Sequence, residues 1–235
     1  MKDFKIKLLE KKLICENTYQ LIFDKPETGY DFFPGQYAYF KLMFNTDEDI
    51  KGNVRPFSFA GSPTNNELVI AVRKNESVFI ENLLRLEAGS EVFISEPMGN
   101  NILDDEKEKV FITGGIGITP VRSILDYLSV NNVNEKITLF YFNRKYSQTA
   151  FLDEFKKWDV EMDGFNFIPV IEDEMDVNWK GEIGMFNEDI LKKYVKEIED
   201  KKFYLFGSDQ MDDCVKQILI DSGVKDENII TEKPT

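Results

Sequence analysis

The stretch VFITGGIGITPVRSILDYL, residues 110–128, constrains this chain more than any other. A short apolar run reaches a turn holding Gly114, Gly115 and Gly117, and Thr119-Pro120 then opens an amphipathic run. A strand that ends in glycines and passes directly into a helix is a unit of an open parallel sheet, and such sheets bind ligands at the carboxyl ends of their strands. Thr119 is expected as the helix N-cap and Pro120 as the first helical residue. Free N–H groups and the helix dipole would favour a phosphate or pyrophosphate there. In the spacing G-x-G-x-x-G, Gly115 and Gly117 fit but Pro120 takes the third place, and no lysine follows as a P-loop requires. The same turn also suits a purely geometric role, so other segments must decide.

Alternating sequence extends this unit on both sides. Residues 1–103 read as short strands, FKIKLLEKKLIC, TYQLIFDK, QYAYFKLMF, RPFSFA, ELVIAVR and EVFISE, interrupted by one helix, VFIENLLRLEAG, that Gly89 should close. That pattern predicts a small antiparallel β-barrel. Residues 104–235 alternate strands (VFIT, ITLFYF, FNFIPVI, KFYLF, NIIT) with helices at 119–130, 149–158, 187–197 and 209–222. This predicts an α/β domain with a Rossmann-like parallel sheet. The polar, acidic segment near 100–109 is the expected boundary.

Composition narrows the chemistry. Of the 235 residues 42% are hydrophobic, enough for a sizeable core, and the formal net charge is −14. That balance opposes nucleic-acid binding and general attraction to anionic membranes. The segment MKDFKIKLLEKKLICENTYQ has no continuous apolar core, so it reads as neither a signal peptide nor a membrane helix, and a cytoplasmic setting is the expectation. There is no histidine, which removes Ser-His, Cys-His and His-metal mechanisms. Cys15 and Cys214 are the only cysteines, too few for a zinc or iron–sulfur site, and no metal is expected. Cys214, beside Val215, Ile218 and Leu219, is expected on a buried helix face.

A second candidate site is Arg55-Pro56-Phe57-Ser58. Pro56 implies an edge or irregular strand. Alternation puts Arg55 and Phe57 on one face, where a guanidinium beside an aromatic ring suits a flat, phosphorylated ligand. A solvated arginine and a core phenylalanine are the alternative.

Taken in order, FPGQY (33–37), RPFS (55–58), EPMGN (96–100), GGIGITP (114–120) and YLFGSDQM (204–211) resemble the ferredoxin–NADP reductase-like superfamily from end to end. The resemblance implies a Greek-key flavin-binding barrel followed by an NAD(P)-binding domain. It implies FAD, with FMN as the alternative, and NADH or NADPH. It assigns Arg55 to flavin phosphate, Phe57 to the isoalloxazine and Ser58 to the neighbourhood of N5, with Pro56, Val72, Arg73 and Gly99 also at the flavin. It assigns Gly115, Gly117, Thr119, Pro120, Asn143, Arg144, Gly207 and Met211 to the nicotinamide nucleotide. Ser58, Phe206 and Glu232 are the implied catalytic positions.

Departures from the family pattern are equally specific. Ile80 stands where the diphosphate helix often has Ser or Thr. Phe206 replaces a small cysteine and is expected either to cover the open flavin face or to pack in the core. Asn143, Arg144 and Lys145 end one strand, where an arginine could meet the 2′-phosphate of NADPH, and Glu172-Asp173 end another, where two carboxylates would oppose it, so NADH is expected to be used at least as well as NADPH. The expected function is an NAD(P)H-dependent flavin reductase passing electrons to ferredoxin, flavodoxin or a similar carrier, for which Arg73, Lys74 and Arg85 could form a docking patch. The alternatives are a reductase of free flavin and an electron-relay subunit of a larger complex.

Overall fold

The structure is a computed structural model that describes residues 2–26, 29–42, 53–103, 108–172 and 179–231. The chain divides into two compact units. One comprises Met1–Asp104 with Thr119–Asn131, the other Asp105–Ile118 with Asn132–Lys233. The break at 104/105 falls within the polar linker that the sequence pattern marks as the boundary. The helix after the glycine turn, however, groups with the first unit rather than with its neighbours in sequence.

The first unit contains β1 (Asp3–Cys15), β2 (Thr18–Asp24), β3 (Tyr37–Lys41), β4 (Val54–Ser58), β5 (Glu67–Arg73), α1 (Val78–Arg85) and β6 (Glu91–Ser95). Its strands pair antiparallel in the order β4-β3-β6-β1-β2-β5. Alternation decides which side chains enter the core: Ile6 and Leu8, Leu21 and Phe23, Ala38 and Phe40, Val92 and Ile94. Each large member stabilises the fold by roughly 1.5–3 kcal/mol through burial. Helix α1 adds Phe79, Ile80 and Leu83 to this core. It ends at Arg85, earlier than Gly89 suggested, with the Leu86 N–H donating to the Leu83 carbonyl. Gly89, at φ +89°, lies in the turn closed by the Ser90 N–H to Glu87 bond, and its own N–H donates to Leu8.

The second unit is built on a parallel sheet, β7 (Glu108–Gly114), β8 (Lys136–Asn143), β9 (Phe165–Ile171), β10 (Glu182–Ile183), β11 (Lys202–Phe206) and β12 (Ile229–Thr231). Its order is β10-β9-β8-β7-β11-β12. The two-residue β10 is too short to show a hydrophobic period and has no counterpart in the sequence pattern. Helices α3 (Leu152–Glu161), α4 (Glu188–Tyr194) and α5 (Asp209–Asp221) belong to this unit, while α2 spans Ile118–Asn131. Val110, Ile112, Phe140, Val170, Phe203 and Leu205 pack one sheet face against Ile190, Leu191, Val215 and Leu219.

Helix limits differ from the sequence pattern for local reasons. Residues 146–148 form a 3-10 turn and Phe151 takes a left-handed conformation at φ +59°, so α3 starts only at Leu152. Asn187 caps α4 by accepting from the Ile190 N–H at 2.9 Å, and the helix stops at Tyr194 because Val195 is extended. Cys214 is exposed; the buried face of α5 carries Val215 and Leu219 instead.

Candidate functional site

The barrel brings three separated segments to one place. β4 is an edge strand, which accommodates Pro56, and pairs with β3 so that Ser58 faces Tyr37 and Phe57 faces Ala38. Tyr37 also exchanges backbone bonds with Met98, at 3.0 and 2.8 Å. Gln36 donates from Nε2 to the Gly99 carbonyl at 2.7 Å and accepts at its own backbone carbonyl from the Phe59 N–H at 3.0 Å. FPGQY, RPFS and EPMGN are therefore hydrogen-bonded neighbours.

Arg55 and Phe57 do share a side of β4, and the residue that unites them is Phe79, on α1. The Phe57 and Phe79 rings stack at 5.8 Å with planes 30° apart, and the Arg55 guanidinium lies 5.9 Å from the Phe79 centroid. Phe40 meets Phe57 edge-on at 5.5 Å. Arg55 remains exposed and Phe57 and Ser58 half-buried. The result is a supported aromatic surface with a cation at its margin, which fits a planar ligand bearing phosphate. The only sequence signal for Phe79 is its place at the start of the helix that interrupts the strands, which marks it as a helix residue and nothing more.

Two expected flavin residues have other occupations. Val72 is 2% exposed and packs in the barrel core, and its backbone is paired with Tyr19 of β2. Arg73 Nε donates to Thr18 Oγ1 at 3.4 Å, which holds its side chain at the β1–β2 end. Arg85 pairs with Glu81 at 2.6 Å, leaving less of the proposed basic patch. Ile80 is buried, and its aliphatic side chain has no group to hydrogen-bond a diphosphate.

In the second unit β7 ends at Gly114, and residues Gly115–Gly117 form a 3-10 turn that runs directly into α2. Thr119 is therefore not an N-cap: it is the second helical residue, and buried. Pro120 falls among the first four helical residues, whose N–H groups lack intrahelical partners, so it is tolerated one turn inside. Gly115 needs its φ of +55°. Gly114 and Gly117 serve close approach within the protein. A methyl group at 117 would overlap the Phe206 carbonyl, and one at 114 would overlap the Met211 sulfur. Gly207 is equally confined, with an Asp212 carboxylate oxygen 2.8 Å from where its Cβ would be. Gly114, Gly117, Gly207 and Met211 are thus one packed joint between two strand–helix turns.

Polar groups left over at the carboxyl edge of the sheet test whether a nucleotide fits. Thr113 Oγ1 and both side-chain polar atoms of Asn143 are buried without a hydrogen-bond partner among the described residues. Thr113 pairs in register with Tyr141, two residues before Asn143, so both side chains belong to the same sheet face. Buried polar groups require partners. A ligand with hydroxyl, amide and phosphate groups at this edge would supply them, so the residues present fit a nicotinamide dinucleotide. Arg144, Lys145 and Glu172 are exposed at the same strand ends. Phe206 is 8% exposed and stacks on Phe111 at 6.3 Å, so its ring packs on the sheet. Asp173 and Glu232 lie outside the described residues. Among the described residues no group of three or more His, Cys, Asp or Glu could hold a metal ion, and no helix is long and apolar enough to cross a membrane.

Residues 111–217 match the oxidoreductase NAD-binding domain family. Over 218 residues the chain is 27% identical to a subunit of the Na(+)-translocating NADH-quinone reductase of Idiomarina loihiensis, covering 84% of this chain and 52% of that protein. The Yersinia pestis counterpart of that subunit is 34% identical over 153 residues, 63% of this chain and 38% of that protein. The chain therefore spans about half the length, or less, of the curated relatives it matches. Among solved structures, the FAD/NAD-binding domain of a nitric oxide dioxygenase from Vibrio cholerae superposes with a TM-score of 0.82 at 22% identity, covering 98% of each chain. A ferredoxin NADP+ reductase from Neisseria gonorrhoeae with bound FAD and NADP gives 0.81 at 18% identity, covering 99% of this chain and 98% of that one. The two-unit topology of these solved structures is the fold of this chain, and its residues 111–217 carry the match to the oxidoreductase NAD-binding domain family.

Proposed function

We propose that this protein is a flavin reductase that uses NADH at least as well as NADPH and passes electrons to a carrier. The observation that carries the reading is the Arg55–Phe79–Phe57 cluster, hydrogen-bonded through β3 to the two other segments of the barrel site. A bound flavin would supply the chemistry, accepting a hydride from reduced nicotinamide and releasing electrons one or two at a time.

The chain's own residues bind and orient. Arg55 neutralises flavin phosphate, with Phe79 holding its guanidinium plane. Phe57, braced by Phe79 and Phe40, offers a ring that cannot tilt away. Ser58, fixed opposite Tyr37, presents a hydroxyl to the ring edge. In the other unit the Gly115–Gly117 turn and the buried Thr113 and Asn143 groups hold the nucleotide. Glu172 at the end of β9 opposes a 2′-phosphate, whereas Arg144 at the neighbouring strand end would attract one, so both nucleotides are accepted. No histidine is needed, because hydride transfer requires orientation rather than a proton shuttle.

A second reading, an electron-relay subunit of a larger complex, is favoured by the relatives' own name, which makes them subunits of a Na(+)-translocating NADH-quinone reductase. In this second reading the chain works beside a membrane, contrary to the expectation from its net charge. We place the reducing site in the cytoplasm, where its nicotinamide substrate is found. Steady-state reduction of ferredoxin, flavodoxin, free FMN and a short-chain quinone by NADH separates the readings. Fast turnover with a protein carrier supports the first. Turnover with free flavin alone makes flavin a substrate. Slow turnover with every acceptor, despite fast flavin reduction, supports the relay role.

A further inference from the structure

Helix α2 does more than begin at the glycine turn. Three residues spaced along one of its faces bond three consecutive residues of the loop that follows Arg55–Ser58. Arg122 Nη1 donates to the Ala60 carbonyl. Ser123 Oγ donates to the Gly61 carbonyl at 2.7 Å. Asp126 Oδ2 accepts from the Ser62 N–H at 2.7 Å and from Asn65 Nδ2 at 3.1 Å. All of this lies within the first compact unit. Ser123, Ala60 and Ser62 are fully buried, and Arg122 is 8% exposed. A helix that buries an arginine and a serine on a loop, where leucines would pack as well, is specifying a position. Buried polar contacts hold one geometry, whereas apolar ones allow sliding.

The loop has little freedom elsewhere. The Phe59 N–H is bonded to Gln36, the Ala60 N–H to Val69, and a side chain at Gly61 would press on Val69. The helix supplies the remaining restraint, at the carbonyls of 60 and 61 and the N–H of 62. Ser58 is two residues upstream, so the loop sets where the β4 exit points.

Resting on the flavin reading above, we infer that Arg122, Ser123 and Asp126 are positioning residues for the flavin, fixing the 60–62 backbone and through it the Phe57-Ser58 end of β4. Asp126→Ala should weaken FAD binding about tenfold, or about 1.4 kcal/mol, and shift the visible flavin absorption and the flavin midpoint potential. Asp126→Asn retains an acceptor oxygen for the Ser62 N–H and should restore the affinity to within about threefold, roughly 0.7 kcal/mol. Ser123→Ala, a milder change that should fold, should move affinity and spectrum in the same direction. The overturning result is wild-type FAD affinity, spectrum and potential in folded Ser123→Ala and Asp126→Ala, with only the melting temperature lowered. A wild-type protein that binds neither FAD nor FMN would instead overturn the flavin reading, and this inference with it.

Discussion

Gly117 packs against the backbone carbonyl of Phe206, so closely that a methyl group at position 117 would overlap the oxygen. The glycine turn that suggested a pyrophosphate site is thus first an internal joint, and the ligand role proposed for it would be built on that joint. Gly117→Ala should destabilise the protein by about 1–3 kcal/mol, the usual penalty of overpacking a rigid backbone contact. It should also weaken nicotinamide nucleotide binding. Thermal unfolding with and without NADH measures both effects.

Phe206 gives a second prediction with a split readout. Its ring is stacked on Phe111 and almost fully buried. Phe206→Ala should cost about 3–5 kcal/mol of stability as a large-to-small core change. Below the melting transition, KM for NADH should stay within about twofold of wild type. A lower KM without loss of stability would restore the idea of a ring lying over the flavin.

Lys109 is fully buried on β7, its Nζ 3.0 Å from Glu135. Removing one partner of a buried pair leaves the other charge poorly compensated. Glu135→Gln should therefore lower stability by up to about 3 kcal/mol, whereas the double change Lys109→Met with Glu135→Gln should recover most of it. Chemical denaturation of the three proteins tests the contrast.

The Glu182 carboxyl is held below its ordinary value of 4.5, first by the hydrogen bond from Lys193 at 2.7 Å and then by the Tyr194 hydroxyl at 2.5 Å. Its folded pKa is depressed, so its contribution is fully present above the unfolded pKa and is lost as pH falls through the folded value. Glu182→Gln should therefore lower the melting temperature at roughly neutral pH, and the loss should shrink as pH falls below the ordinary carboxylate value and through the depressed one. A loss that stays constant through acid pH would mean that the carboxylate charge is not involved.

Much of this architecture was legible because period and topology are local properties. Ile6 and Leu8, or Val92 and Ile94, announce their strands by alternation. The succession of β7, α2 and β8 announces a parallel crossover. What was not legible depends on contacts between distant segments. Thr119 looked like an N-cap until the 3-10 turn at Gly115–Gly117 extended the helix past it. Gly89 looked like a helix stop because both a helix end and a β-turn favour a left-handed glycine. In the site, Arg55 and Phe57 were found because two residues apart on a strand means one face. Phe79, which joins them, comes from another element. Arg122 and Asp126 resembled the polar surface of an amphipathic helix, and only the fold reveals that they face the loop at 60–65.

Arg55 and Phe57 are proposed to hold a flavin that NADH reduces. This is tested most directly by anaerobic NADH titration of wild-type and Arg55→Ala protein, each mixed with an equal amount of FAD. The wild type should bind the flavin and lose its visible band with about one equivalent of NADH. Arg55→Ala should bind FAD more weakly by about 1.5–3 kcal/mol, the range for a charge-assisted phosphate contact, and should bleach correspondingly little at the same concentration. Bleaching of Arg55→Ala that matches the wild type in affinity and extent, or no bleaching of the wild type, would contradict the account.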